Sequence, residues 1–289
     1  MSEPSTHTVQ TPEATLTYDV YGPLPPADDR PALVLIGQPM CADGFVTLAS
    51  YFPDRTVVAY DIRGLGRSTR EDGRQDHTPA DNADDVHAII EEIGGPVDLF
   101  GSSGGAVSAL EIITRFPDDV RKVVAHEPPI LGVLPDADNA AAAEAAVQSA
   151  YSSQGFGAGM AAFIALTSWE GEFTDEYFDQ ALPDPADFGM PTEDDGNRDD
   201  PLLSGVSNAV TAYRPDIEGL RGLDGVLVLA HGEESAGNLA ARAGKALAEK
   251  LGQEPAVFPS HHGGFMGGEH GYGGQPEAFA AKLRETFGA

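Results

Sequence analysis

The segment Leu99-Phe100-Gly101-Ser102-Ser103-Gly104-Gly105-Ala106 constrains this chain more than any other stretch. An apolar run, Pro96 to Phe100, leads straight into Gly-x-Ser-x-Gly, and a helical pattern then continues until Pro117 stops it. That is the layout of a nucleophile elbow, a tight strand-to-helix turn that holds a serine hydroxyl exposed. Glycine two residues to either side lets backbone segments approach more closely than a Cβ allows. The register selects Ser103, flanked by Gly101 and Gly105, and leaves Ser102 as the intervening residue. The helix N-terminus then sits beneath Ser103, where its positive end favours developing negative charge. The bland alternative is a glycine-rich turn that only packs a helix on a sheet, which a chain with 34 glycines can produce by chance.

Around this motif the sequence alternates between short apolar strands and helical patterns. Thr8 to Gln10 and Ala14 to Tyr21 alternate as an antiparallel pair would. Ala32 to Ile36 and Thr56 to Tyr60 are unbroken apolar runs suited to buried strands. Between Pro79 and Ile93, residues Val86, Ile89, Ile90 and Ile93 fall on one helix face. Strands over 96–100 and Val120 to Ala125 follow, so the rhythm predicts a parallel, doubly wound sheet. It breaks at Pro128. Helical stretches over Ala137 to Ala150 and Phe156 to Trp169, then acidic loops, occupy the chain until a strand resumes at Gly225 to Ala230. Helix Asn238 to Leu251, strand Pro255 to Phe258 and helix Pro276 to Phe287 complete it. The expected organisation is a core of residues 1–127 and 223–289 with a helical cap, 128–222, inserted after the sixth strand.

Composition narrows the function classes. With 17 basic and 46 acidic side chains the net charge is −29, which disfavours nucleic acid and anionic membrane surfaces as partners. Solvation accounts for such a surface; adaptation to high salt is a sharper reading, since Lys stands only at 122, 245, 250 and 282. No apolar stretch is long enough to span a bilayer, and the N-terminus lacks a signal pattern. Cys41 is the only cysteine, so no intrachain disulfide can form and the cytoplasm is the expected compartment. A small-molecule substrate is the expected partner, and a homodimer is left open.

A serine needs a base to take its proton and a third group to orient that base. Histidines follow the last expected strand in Phe258-Pro259-Ser260-His261-His262-Gly263-Gly264. His262 begins the glycine-bracketed part of that loop; His270, in Glu269-His270-Gly271, is the alternative base. For the acid, Glu127 ends the strand before the insertion, with Pro128 and Pro129 fixing the backbone behind it; Glu234 is the alternative. Two backbone N–H donors must meet the oxyanion. Gly104 supplies one, and Gln38 the other, because Pro39 has no N–H.

These motifs together resemble the α/β-hydrolase superfamily, roughly from Thr8 to Phe287. Besides Gly101 to Gly105, the stretch Asp61-Ile62-Arg63-Gly64-Leu65-Gly66-Arg67-Ser68 is similar to its Asp-x-Arg-Gly-x-Gly-x-Ser turn, and His262-x-Gly264 to its histidine loop. The resemblance implies a mostly parallel central sheet flanked by helices with an inserted helical cap, and a triad in the order serine, acid, histidine. Two departures matter. The superfamily's Gly-x-x-Asp after the seventh strand is Gly232-x-x-Ser235 here, which turns attention to Glu127. Ile36-Gly37 stands where His-Gly is usual, and Gly37-Gln38-Pro39 is similar to the Gly-Asn-Pro of haloalkane dehalogenases, whose nucleophile, however, is aspartate.

The expected activity is therefore hydrolysis of a carboxylic ester, thioester or lactone by a Ser-His-acid triad through an acyl-enzyme, with no cofactor and no metal. The alternatives are a lyase, perhydrolase or carbon–carbon bond hydrolase on the same fold, or an accessory protein with impaired catalysis.

Overall fold

The computed structural model describes residues 3–27, 30–223, 225–271 and 273–288. Asp28 and Asp29 of the proline-rich turn before the first buried strand, and Tyr272 after His270, lie outside them. The chain opens with β1 (Ser5–Thr11) and β2 (Ala14–Tyr21), which pair antiparallel as their alternation predicts. Then come β3 (Leu33–Ile36), α1 (Val46–Ser50), β4 (Val57–Tyr60), α2 (Pro79–Ile93), β5 (Val97–Ser102), α3 (Gly104–Arg115) and β6 (Val120–His126). Among the described residues before the next strand the α-helices are α4 (Ala137–Gln154), α5 (Phe156–Ser168), α6 (Asp175–Phe178), α7 (Asn208–Thr211) and α8 (Ile217–Arg221). The chain returns to the sheet with β7 (Leu227–Gly232), α9 (Leu239–Leu251), β8 (Ala256–Phe258) and α10 (Pro276–Phe287).

The eight strands form one sheet in the order β1-β2-β4-β3-β5-β6-β7-β8, parallel from β4 to β8. All four residues of β3 and of β4 are buried, because helices cover both faces of the sheet. Residues of α2, α3 and α9 pack into one apolar cluster. A second cluster joins Phe45 and Leu48 to Phe279, Leu283 and Phe287 of α10. α2 starts where expected: Thr78 caps it by accepting from Asp81 N at 3.1 Å, and Pro79 needs no partner at the first position.

The Asp61-to-Ser68 motif is a structural knot. Asp61 accepts from Ala42 N and Arg67 N, at 3.1 and 2.8 Å. Arg63 makes a bidentate pair with buried Asp85 at 2.9 and 2.6 Å, tying the turn to α2. Ser68 Oγ donates to the Asp61 carbonyl at 2.6 Å and accepts from Thr17 N at 2.9 Å. These bonds lock the crossover from β4, so the loop after β3 rests on a rigid base.

The strand around 226–230 runs two residues further than the apolar pattern predicts, to Gly232. That extension carries the backbone N–H of Gly232 to the sheet edge where the candidate site lies.

Candidate active site

Parallel strands deliver their C-terminal ends to one edge of the sheet. Ser102 of β5 pairs with His126 of β6, so the next residues, Ser103 and Glu127, leave adjacent strands side by side. Ser103 N donates to His126 O at 3.0 Å, and Glu127 N to Ala230 O at 2.9 Å. Both residues have positive φ, 57° for Ser103 and 53° for Glu127. For non-glycine residues that conformation is strained, and such strain concentrates where side-chain direction matters. The flanking glycines are sterically required. A Cβ on Gly101 would meet the Gly105 carbonyl oxygen at 2.5 Å, and one on Gly105 the Ile36 oxygen at 2.2 Å.

The loop after β8 brings His262 to Glu127. Nδ1 of His262 donates to Glu127 Oε2 at 2.5 Å. Glu127 Oε1 accepts from Gly232 N at 2.8 Å and from Ser235 Oγ at 2.5 Å. The carboxylate is 1% exposed, whereas the imidazole is 43% exposed. Burial alone would raise the Glu127 pKa, but the charge and hydrogen bond of His262, with the Ser235 hydroxyl, outweigh it and hold the group at about 2. Burial opposes charge on His262 too, yet Glu127 prevails and its pKa lies above the ordinary histidine value. With Nδ1 engaged, Nε2 is the nitrogen left to exchange protons.

Among the described residues the Ser103 hydroxyl has no hydrogen-bond partner, and the couple is complete only between His262 and Glu127. Nucleophile–base contacts are often long in an empty site and tighten when substrate arrives. Gln38 and Gly104 lie against each other, and neither of their N–H groups has a partner among the described residues.

The other candidates go elsewhere. Glu234 accepts from Gln275 Nε2 at 3.0 Å and Ser260 Oγ at 3.4 Å. His261 Nε2 lies 3.2 Å from Gly273 O. His270 sits 3.6 Å from Asp43, beside a cavity of about 900 Å³ lined by Met40, Cys41 and Arg67 but by neither Ser103 nor His262. Burial pushes the Cys41 thiol up to about 11, which keeps it in the weakly nucleophilic thiol form. The aromatic residues between β6 and β7 largely pack on one another: Tyr177 meets Trp169, Phe173 and Phe178 edge-on at 4.8–5.3 Å. Among the described residues no helix is long and apolar enough to cross a membrane.

In sequence Ser235 stands out only as a departure from the superfamily's aspartate. Its contact shows what the exchange means: the hydroxyl supports a carboxylate that comes from the neighbouring strand. Ser235→Ala removes one bond to a buried carboxylate and should cost about 1.5–3 kcal/mol of unfolding free energy. Denaturant titration measures this; an unchanged midpoint would show that Gly232 suffices.

Residues 33–282 match the Alpha/beta hydrolase family. The chain belongs to that family. It is 34% identical over 130 residues to the Bacillus subtilis (strain 168) protein named uncharacterized hydrolase YraK. The match covers 44% of this chain and 46% of that protein, so it spans about half the length of that relative. Two solved structures are similar in fold. One is a thermophilic esterase from Thermogutta terrifontis, with TM-score 0.61, 19% identity and coverage of 99% of this chain and 98% of that one. The other is the enol-lactonase from Burkholderia xenovorans LB400, with TM-score 0.62, 16% identity and coverage of 96% and 97%.

Proposed function

We propose that this family member is a serine hydrolase that cleaves a carboxylic ester, thioester or lactone of a small organic substrate. The observation that carries the reading is the hydrogen-bonded Glu127–His262 couple, whose acid leaves β6 beside Ser103 at the end of β5.

Ser103 Oγ attacks the substrate carbonyl carbon while its proton passes to His262 Nε2. The carbonyl electron pair moves onto oxygen, and the N–H groups of Gln38 and Gly104 meet that charge. Each such donor supplies about 3 kcal/mol where it has been measured in other enzymes. As the tetrahedral species collapses, the bond to the leaving group breaks and His262 returns the proton to it. Water then repeats the sequence on the acyl-enzyme, releasing acid and free Ser103. Glu127 keeps Nδ1 protonated and steadies the imidazolium throughout.

The reaction needs a neutral imidazole, and Glu127 holds the His262 proton more tightly than usual. kcat/KM on a p-nitrophenyl ester should therefore rise with pH along a limb whose midpoint exceeds the ordinary value of about 6.5. A panel of acyl chain lengths run as pH–rate profiles tests both points. Turnover with a midpoint below that value would contradict the assignment of His262 as base. Absence of turnover on every acyl substrate would favour the lyase or accessory readings.

A further inference from the structure

Behind the elbow lies a cluster of buried polar side chains that the reaction above does not use. Asn82, near the start of α2, is 1% exposed, Ser108 of α3 is 1% exposed, and Gln38 is 4% exposed. Asn82 Nδ2 donates to Gln38 Oε1 at 2.6 Å and to Ser108 Oγ at 3.1 Å. Ser108 Oγ in turn donates to the Gly104 carbonyl at 3.2 Å. This chain of bonds starts on the residue assigned one oxyanion donor and ends on the residue assigned the other. The two segments also touch: a Cβ on Gly104 would stand 2.8 Å from Gln38 Cβ.

Stability gives a poor account of the cluster. Gln38 Nε2 and Asn82 Oδ1 are buried with no partner among the described residues. A half-satisfied buried network is costlier than apolar packing of the same volume. On the buried face of α2, Asn82 lies among apolar Val86, Ile89, Ile90 and Ile93; the other buried polar residue there, Asp85, is held by Arg63, whereas the Asn82 carbonyl oxygen has no partner among the described residues. What the amide provides that a leucine would not is a pair of donors, aimed at two different segments.

We propose that Asn82 is a positioning residue: through Gln38 on one side and Ser108 on the other, it sets the spacing and direction of the two oxyanion N–H groups. The inference rests on the acyl-transfer reading. Asn82 touches neither substrate nor reacting atoms. Its effect comes from geometry, because oxyanion donors act over a narrow range of about 2.7–3.1 Å.

The test compares wild type, Asn82→Ala, Ser108→Ala and the double variant on a short p-nitrophenyl ester, with an aryl boronic acid as tetrahedral analogue. A displacement of about 1 Å costs about 100-fold, so Asn82→Ala should lower kcat by about 10- to 100-fold. KM should stay within about twofold, and boronate affinity should fall in parallel with kcat/KM. The double variant should lose little more than Asn82→Ala alone, because both act through one chain of bonds. Folded Asn82→Ala with wild-type kcat overturns the proposal, as does a loss that appears in KM while boronate affinity is unchanged. If Asn82→Ala does not fold, Ser108→Ala decides: a kcat loss at constant KM supports the proposal and an unchanged kcat overturns it. Wild type that neither turns over esters nor forms a boronate adduct on Ser103 defeats the acyl-transfer reading itself, which separates the two failures.

Discussion

Ser103→Ala should reduce ester turnover by at least about 10⁴-fold, because residues acting as one nucleophilic unit lose nearly everything with any member. What survives should be the modest acceleration from Gln38, Gly104 and substrate binding. The fold should persist, since the hydroxyl makes no hydrogen bond among the described residues and Ser103 N keeps its bond to His126 O. Thermal melting and steady-state rates on the same preparation check both statements. Alanine at φ 57° keeps the strain of the turn, so a small shift in melting temperature is expected, not unfolding.

Glu127→Gln should have the second largest effect, a fall in kcat of about 10³- to 10⁴-fold, because a neutral amide lets the imidazole take the wrong tautomer. The electrostatics predict a signature as well. Glu127 raises the His262 pKa, so its neutralisation should move the rising limb of the pH–rate profile to lower pH while the plateau drops. Glu234→Gln serves as the control. Its carboxylate bonds Gln275 and Ser260, so the variant should retain turnover within about threefold. A reversed pattern would hand the acid's role to Glu234.

Much of this candidate site is legible in the sequence because the relevant constraints are local. Gly101, Ser103 and Gly105 announce themselves through the steric demand of a single turn, and their spacing survives in five residues of sequence. Glu127 was visible through Pro128 and Pro129, which fix the chain just behind it. Choosing between Glu127 and Glu234 was another matter, since their loops leave neighbouring strands and only side-chain direction separates them. The partner of Glu127 is 135 residues away, and no local pattern records that meeting. Ser235 held the hint: a hydroxyl stands where an aspartate was expected, and a supporting donor is useful only if the acid comes from nearby. Asn82 holds another, as a polar residue among the apolar positions of α2 without the arginine partner that Asp85 has. The aromatic residues between β6 and β7 were ambiguous in sequence because a ring packs equally well against a ligand or a neighbour. Phe173, buried against Tyr177, belongs to the second kind.

Intact-mass analysis after treatment with a fluorophosphonate tests most directly whether Ser103 Oγ takes up the acyl group. One adduct per chain is expected, mapped by peptide digestion to Ser103 and absent from Ser103→Ala. A protein that hydrolyses esters yet carries the label on another residue, or none at all, would contradict it.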